Sequence, residues 1–273
     1  MGDSAKKILF VNSEIFPYLP ESDISKIGRF LPQGIQERKK EIRSFMPRYG
    51  CINERKNQLH EVIRLSGMNI IINDVDRPLV IKVASISAAR MQVYFIDNED
   101  YFHRKQIYHD AEGNFFEDNG ERAVFFARGV LETVKKLRWA PDIVHCHGWI
   151  SQILPLYLKK VYCDDPIFSD SKVVLSLYDD ISPDEKFPDD FKEKIRFGDI
   201  SGKDMEAMEK PDGINLAKLA VRYADGIIMG SETIAPELAD YCRESGLPLL
   251  PYSAGDLESG AYIDIYNDFY DKF

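Results

Sequence analysis

Histidine and cysteine side chains that could bind a metal or exchange protons lie together at one point of the chain. His145 and His147 flank Cys146, directly after a short apolar run. Imidazole and thiolate are both metal ligands, but alternate residues of a strand point to opposite faces, so Cys146 diverges from both histidines. No third ligand with informative spacing accompanies them. The pattern favours one histidine that lines a cleft, or two structural histidines, over a metal site.

Carboxylates form two further candidate groups. Asp179 and Asp180 follow another apolar run, where paired acids could act as general acid and base or could simply bind loop backbone. Asp118 and Asn119, with Arg122 close behind, precede a predicted long helix and could cap it or bind hydroxyl groups. The motifs of serine hydrolases, zinc proteases and P-loop proteins do not occur in the sequence. The residues alone indicate a polar site without naming its reaction.

The loop after the first predicted strand is poorly suited to a phosphate group. It comprises residues 13–23 and contains no glycine. Phosphate cradles need glycines so that backbone N–H groups can approach the anion. Glu21 and Asp23 add negative charge to the loop. We therefore expect that this loop does not hold a nucleotide phosphate.

Short apolar runs alternate with amphipathic segments, and these elements must position the candidate residues. Strands are predicted at 7–12, 42–46, 68–73, 79–85, 91–96, 143–146, 172–177 and 226–229, and helices at 24–37, 121–137, 149–161, 214–223 and 231–242. The alternation predicts an α/β, Rossmann-like fold with a mostly parallel sheet and helices on both faces. A ligand cleft is expected beyond the carboxyl ends of the strands. The runs between 68 and 96 indicate a hairpin-rich insertion or sheet edge, because no helix separates them.

Four further segments carry predictions. Residues 97–119 are expected to form a loop, and Ser231 is expected to cap the last predicted helix. Residues 179–212 hold 12 acids and 6 bases, which indicates a surface segment with short helices. Residues 26–56 hold nine Lys or Arg and three acids, typical of a solvated helix face or a basic patch. The acidic, aromatic tail 256–273 either docks on its own domain or binds a partner.

Composition and charge limit the class of protein. The chain has 273 residues, 44% of them hydrophobic, and a net charge of −10, which argues against a dedicated nucleic-acid binder. The four cysteines lack disulfide or zinc spacing. The apolar run 8–11 is too short for a signal sequence, and no window reaches the length of a membrane span. We expect a cytoplasmic protein that binds neither membranes nor nucleic acid.

Several motifs, in chain order, resemble the N-terminal domain of the bacterial glycogen synthase and plant starch synthase family. They are the segments 7–18, 46–50, 93–104, 118–128, 139–149 and 223–231. The resemblance implies one half of a two-domain glycosyltransferase fold whose members extend α-1,4-glucans from ADP-glucose or UDP-glucose. It further implies a domain at 1–250 and a tail at 251–273, without the second domain that holds most of the sugar-nucleotide site.

The resemblance also shows where the cleft departs from the family pattern. The family's Lys-Thr-Gly-Gly loop aligns with residues 20–23, which hold no lysine or glycine. Its His-Asp-Trp-His motif aligns with 147–150, where Ile150 replaces the last histidine, and its His-Asn aligns with Tyr178 and Asp179. Losing one preorganised donor costs roughly 10²–10³ in rate. We therefore expect that this chain alone is inactive, with no catalytic residue, metal or cofactor.

Three functions remain open at this point. The chain could be a non-catalytic half that binds glucan or another sugar, or regulates a synthase. It could also be an active glucosyltransferase completed by a partner chain with the second domain, or a scaffolding module without a sugar ligand. For the first function, the candidate sugar-binding residues are Glu14, Tyr18, Tyr101, Asp118, Asn119, Arg122, His147, Trp149, Tyr178, Asp179 and Ser231.

Overall fold

A ten-stranded sheet forms the centre of the computed structural model, which describes residues 5–273. Residues 1–4, part of the segment in which we expect no signal sequence, lie outside the described residues. The strands are β1 (Lys7–Asn12), β2 (Glu41–Pro47), β3 (His60–Glu61), β4 (Met68–Ile72), β5 (Val75–Ile86), β6 (Met91–Asp97), β7 (Ile143–His147), β8 (Lys172–Leu177), β9 (Gly226–Met229) and β10 (Leu249–Leu250). Their spatial order is β10-β9-β8-β7-β1-β2-β6-β5-β3, and β4 pairs with β5.

Helices connect most of the parallel strands. They are α1 (Asp23–Glu37), α2 (Glu99–Phe102), α3 (Asn119–Leu137), α4 (Leu154–Lys160), α5 (Phe191–Ile195), α6 (Gly213–Arg222), α7 (Pro236–Glu244), α8 (Ala254–Ser259) and α9 (Tyr262–Tyr270). Short 3-10 helices occur at Ser87–Ala89, Trp149–Ser151 and Gly202–Glu209. Along residues 5–273, no helix is both long and apolar enough to cross a bilayer.

The central strands are parallel, and the antiparallel pairs are confined to one end of the sheet. β1 lies between β2 and β7, parallel to both, and its residues 8–11 are fully buried. A strand buried on both faces reads as a continuous apolar run, which is why its bounds were predictable. β3, β4 and β6 pair antiparallel with β5. The predicted fold class and the hairpin-rich edge are both confirmed.

Helix α3 illustrates how the sequence pattern covers the sheet. Its apolar side chains, among them Val124, Phe125 and Leu131, are fully buried. Burial of a side chain of this size contributes about 1.5–3 kcal/mol. Lys135 and Lys136 lie in the last turn, where positive charge favours the carboxyl end of the helix.

Two predicted helices are wrong in extent, and proline explains both differences. The segment 149–161 divides into a 3-10 turn and α4, with Pro155 in the first turn of α4. α7 begins at Pro236 rather than at Ser231. Proline lacks the N–H group that a helix interior needs but fits the first turn. The Ser231 hydroxyl instead accepts a hydrogen bond from the Thr233 amide at 3.2 Å, so Ser231 does not cap the helix.

Two segments predicted as loop or surface contribute to the core. The segment 97–119 contains α2, whose Tyr101 and Phe102 are buried. The acidic segment 179–212 buries apolar side chains, including Phe187, Phe191 and Met205. The many charged residues suggest a surface segment, but apolar residues lie between them at intervals that suit packing against α3. The predicted short helices are present as α5 and the 3-10 helix Gly202–Glu209, but the segment packs into the core as well as lying at the surface.

The tail docks on its own domain, which was one of the two predictions for it. Phe269 and Tyr270 are 1% and 0% exposed. Asp264 accepts from Arg38 Nε at 2.6 Å, and Asp271 lies 3.0 Å from Lys40 Nζ. Exposed ion pairs contribute about 0–1 kcal/mol each, whereas a buried aromatic side chain contributes about 1.5–3 kcal/mol. The aromatic face of α9 therefore dominates the docking energy, and the charges match the tail to the basic segment 26–56.

Candidate functional site

The carboxyl ends of β1, β7, β8 and β9 meet at one edge of the sheet. Strand order reverses between β1 and β7, and ligands of open α/β sheets bind outside such a reversal. A cleft of ≈ 250 Å³ lies at this edge. The residues that matter for its chemistry are Asp23, Tyr178, Asp179, Ser231, Thr233 and Tyr252. The structure thus brings together three of the predicted site residues, Tyr178, Asp179 and Ser231.

Tyr178 forms a fixed wall of this cleft. Its ring is 6% exposed, and its hydroxyl lies 3.0 Å from His147 Nδ1. Gly230 makes room for the ring, because a Cβ at this position would lie 2.4 Å from a Tyr178 ring carbon. Contacts with His147 of β7 and with Gly230 after β9 therefore fix the position of the Tyr178 ring.

The remaining side chains of the cleft are suited to hydroxyl groups. Asp179 is exposed, and the Tyr252 ring is half-buried. The hydroxyls of Ser231 and Thr233 lie 3.0 Å apart. Carboxylates accept hydrogen bonds, hydroxyls donate and accept them, and an aromatic ring offers an apolar face. The cleft has the donors and acceptors that a neutral polyol needs, with negative rather than positive charge.

The N-terminus of α1 borders this cleft and is capped by its own serine residues. Ser22 Oγ accepts from the Ser25 amide at 3.0 Å, and Ser25 Oγ accepts from the Ser22 amide at 2.8 Å. The Ser22 hydroxyl also donates to Glu14 Oε2 at 2.8 Å. Asp23 occupies the first turn. Free N–H groups at a helix N-terminus attract anions, but here the Ser22 hydroxyl caps the Ser25 amide and the Asp23 carboxylate adds negative charge at the same helix end.

Asp180 lies in a different environment from its neighbour Asp179. Its Oδ2 accepts from the Trp149 amide at 2.7 Å, and its Oδ1 is buried without a hydrogen-bond partner among residues 5–273. Burial raises the pKa of Asp180 to about 7, the Trp149 amide opposes this shift, and Glu14 adds to it. The predicted carboxylate pair is thus divided between a half-buried acid, whose Oδ1 is fully covered, and an exposed one.

Gly148 allows the approach that places Asp180. Its φ is +82°, a conformation that favours glycine. A Cβ here would lie 2.1 Å from Ser13 Oγ and 2.8 Å from Asp180 Oδ2. The ends of β1, β7 and β8 therefore converge on one point that has no space for a side chain.

Both histidines are buried and hydrogen-bonded. His145 Nδ1 lies 2.5 Å from the Tyr270 hydroxyl, and its Nε2 lies 2.8 Å from Ser176 Oγ. His147 Nε2 lies 3.1 Å from His145 Nδ1. Burial lowers the pKa of His147 to about 3, so its ring is neutral. The geometry matches two structural histidines, and among residues 5–273 no group of three or more His, Cys, Asp or Glu could hold a metal.

Three predicted aromatic residues pack in the core rather than in the cleft. Trp149 is fully buried, and Tyr18 packs edge-on against Phe95 at 4.9 Å between ring centroids. The Tyr101 hydroxyl donates to Glu121 at 2.6 Å. Stacking on a sugar requires an accessible ring face, which these side chains lack in this conformation. Their role in sugar binding stays a prediction.

The predicted cluster around the start of α3 holds a loop rather than lining the cleft. Arg122 is fully buried and donates to Asn119 Oδ1 at 2.5 Å and to the Ile107 carbonyl at 2.7 Å. Asp118 makes no side-chain cap bond and instead accepts from Arg104 at 2.5 Å. These contacts fix the segment 97–119 on α3. A sugar-binding role for Asp118, Asn119 and Arg122 stays a prediction.

Tyr252 and Thr233 are cleft residues that the sequence pattern did not single out. Tyr252 follows β10, which has two residues and is shorter than any run we would predict as a strand. The apolar pair 249–250, followed by Pro251, is the signal that could have marked another strand end at the same edge. Thr233 lies in the first residues of the predicted helix 231–242, which precede the observed start of α7 at Pro236.

Known proteins resemble the chain along most of its length. Residues 7–248 match the family model of the starch synthase catalytic domain. The chain is 35% identical to the glycogen synthase of Chlorobium limicola over 233 residues, 85% of this chain and 47% of that protein. It is 33% identical to the glycogen synthase of Chlorobaculum tepidum over 239 residues, 86% of this chain and 47% of that protein.

The chain spans about half the length of these curated relatives. A solved structure, the catalytic domain of starch synthase IV from Arabidopsis thaliana bound to ADP and acarbose, shares the fold with a TM-score of 0.70 and 13% identity. That match covers 91% of this chain and 51% of the other. These matches agree with the motifs at the strand ends and with the parallel sheet. The chain belongs to the starch synthase catalytic domain family.

Proposed function

We propose that this chain is a glucan- or sugar-binding half of a glycogen synthase-like protein and does not itself transfer glucose. Family membership supports a role in glucan metabolism. The hydroxyl- and carboxylate-lined cleft supports a neutral sugar as its ligand. The acidic, serine-capped N-terminus of α1 is the observation that carries the non-catalytic part of the proposal.

Transfer from a nucleotide sugar requires that cations or oriented amides stabilise the leaving diphosphate. At the start of α1, Ser22 occupies the helix end, and Glu14, Glu21 and Asp23 are acidic. Lys26 is the cation of this helix turn, and it faces Glu21 at 3.9 Å. A carboxylate about 5 Å from a phosphate charge costs about 3 kcal/mol at an effective dielectric constant of 20. This term opposes a diphosphate at the loop 13–23.

The same groups favour a sugar. Asp179 and Asp23 can accept hydrogen bonds from hydroxyls, and Ser231 and Thr233 can donate or accept them. The half-buried Tyr252 offers a ring face at the side of the cleft. Neutral ligands lose no Coulomb energy beside these carboxylates. An oligosaccharide therefore suits the cleft better than a nucleotide does.

Calorimetric titration of the full chain with maltoheptaose, ADP-glucose and UDP-glucose tests the proposal. We expect maltoheptaose to bind and both nucleotide sugars to give no binding heat. Asp179→Asn should weaken maltoheptaose binding at least tenfold. The matched control Asp170→Asn, at an exposed aspartate outside the cleft, should leave binding unchanged.

Two results would overturn the proposal. Micromolar binding of either nucleotide sugar would refute the argument from the α1 N-terminus and favour an active transferase completed by a partner chain. No binding of any of the three ligands would refute the sugar site and favour a scaffolding module.

The compartment is part of the proposal. All four cysteines are unpaired, two of them exposed. Exposed thiols persist in reducing compartments, which supports a cytoplasmic protein.

A further inference from the structure

Two arginines line one cavity at the edge of the sheet opposite to the sugar cleft. The cavity of ≈ 450 Å³ lies where β2 and β6 begin and β5 ends. Because β2 and β6 run parallel to β1, this is the amino edge of the parallel strands. The polar residues that line it are Gln36, Arg43, Ser85, Arg90, Gln92 and Tyr94.

The charge of this cavity contrasts with that of the chain. The chain carries 45 acids and 35 bases, yet no acid is among the residues that line the cavity. Within residues 5–273, neither Arg43 nor Arg90 has a carboxylate within 4.0 Å. The nearby Glu41 accepts from Trp139 Nε1 at 3.2 Å. Two guanidinium charges therefore share one cavity without an ion-pair partner.

Arg43 is held in place and short of acceptors. Its guanidinium lies 5.1 Å from the Trp139 ring centroid and 5.8 Å from that of Tyr94. One Nη donates to the Tyr94 hydroxyl at 2.7 Å. Its Nε is buried and has no acceptor among the described residues. A guanidinium has five N–H donors, so Arg43 is a preorganised donor with unused capacity.

Strand register places neutral donors and acceptors beside the two arginines. Ser85 pairs with Gln92 across β5 and β6. Arg43 precedes Ser44, which pairs with Val93, so Arg43, Gln92 and Ser85 form one row across three strands. Arg90 lies in the turn between β5 and β6, exposed and with φ of +52°.

Other cations of the basic segment 26–56 differ from Arg43 because they form ion pairs. Arg38 and Lys40 pair with acids of the tail, and Arg48 pairs with Glu54. These contacts neutralise charge that the sequence concentrates here. Arg43 belongs to the same basic segment and keeps its charge uncompensated.

We propose that this cavity binds an oxyanion with the charge of a phosphate group, carried by a small phosphorylated molecule. The planar donor fork of a guanidinium group matches the geometry of phosphate oxygens, and two such groups line this cavity. The amides of Gln36 and Gln92 and the hydroxyls of Ser85 and Tyr94 are positioned for the rest of the ligand. The site is separate from the sugar cleft and does not depend on the proposed function.

Isothermal titration calorimetry tests this inference, with inorganic phosphate titrated into the full chain at constant ionic strength. We expect saturable binding at one site. Arg90→Gln should weaken binding at least tenfold, and Arg43→Lys, which keeps the charge but loses the planar donors, should also weaken it. Arg138→Gln is the matched control, because Arg138 is exposed, has φ of +51° and lies outside the cavity. It should leave phosphate binding unchanged.

An NMR measurement on the unsubstituted chain tests the site even if a variant does not fold. In the unsubstituted chain, phosphate should shift the side-chain Nε–H NMR signal of Arg43 more than that of Arg138. Maltoheptaose binding should be the same in Arg90→Gln as in the unsubstituted chain, which separates this site from the sugar cleft. Absence of saturable phosphate binding, or equal losses in Arg90→Gln and Arg138→Gln, would overturn the inference.

Discussion

Replacing Asp180 by asparagine should stabilise the protein in a way that depends on pH. The Asp180 side chain is half-buried near the acidic Glu14, and its Oδ1 is buried without a hydrogen-bond partner among the described residues. Asparagine has nearly the same shape and is uncharged. Its amide oxygen can still accept from the Trp149 amide, which now donates to Asp180 Oδ2 at 2.7 Å.

The magnitude follows from the pKa of Asp180, which rises from 3.8 to about 7 in the folded protein. A raised pKa means that the folded state binds a proton that the unfolded state has released. The contribution of Asp180 to stability is therefore complete below pH 4 and is lost as pH rises through 7. Each pKa unit corresponds to about 1.4 kcal/mol, so the loss is about 4 kcal/mol at pH 8.

The assay is urea unfolding of the unsubstituted chain and of Asp180→Asn between pH 4 and pH 8. The difference between their free energies of unfolding should be near zero at pH 4 and should reach about 2–4 kcal/mol in favour of asparagine at pH 8. His145 and His147, with lowered pKa values, favour the folded state as pH rises. They occur in both proteins, so they cancel in the difference.

An exposed aspartate provides the control. Asp170→Asn should change the free energy of unfolding little at any pH, because Asp170 is exposed and precedes β8, whereas Asp180 follows the other end of that strand. A difference for Asp180→Asn that does not vary with pH would refute the reasoning, since a lost or gained hydrogen bond would act at every pH. Destabilisation by asparagine at pH 8 would refute it as well.

Three further substitutions or measurements test the packing around the site. Gly148→Ala should lower the free energy of unfolding by about 2–4 kcal/mol. The control Gly113→Ala, at a similar φ of +87° but with open space around it, should lower it by about 1 kcal/mol. Equal losses of the two variants in chemical unfolding would contradict the predicted clash at Gly148. Tyr270→Phe should cost about 1–3 kcal/mol, because it removes the hydroxyl 2.5 Å from His145 Nδ1, and an unchanged melting curve would show that this contact contributes nothing. The imidazole NMR signals of His147 should stay constant between pH 7 and pH 4, because burial lowers its pKa to about 3; a titration step in that range would refute burial of a neutral ring.

The sheet was predictable where strands are buried on both faces. The bounds of β1, β8 and β9 match the predicted runs residue for residue, because a continuous apolar run bounded by polar residues has one interpretation. β3 and β10 have two residues each and leave no such run. Helix starts failed at Pro155 and Pro236, where apolar spacing continued across a residue that had to lie in a first turn.

The site was predictable where topology decides it. Tyr178, Asp179 and Ser231 follow parallel strands, so their meeting at one edge follows from the fold. Whether a side chain at such an edge is covered depends on residues distant in sequence. Trp149 is covered by Phe187 at 6.0 Å between ring centroids, from a segment whose charge suggested surface. Composition alone could not reveal that contact.

The docking of α9 has a consequence for the order of folding. The Lys6 amino group donates to the Tyr270 carbonyl at 2.9 Å, a contact between residues 264 positions apart. Contacts at such separation form late, because the intervening chain must first lose its conformational freedom. On a ribosome, β1 would emerge and pair with β7 long before α9 is synthesised. The His145 ring, whose Nδ1 lies 2.5 Å from the Tyr270 hydroxyl, would remain accessible to water until α9 closes over it, so its burial reports the docking of this helix.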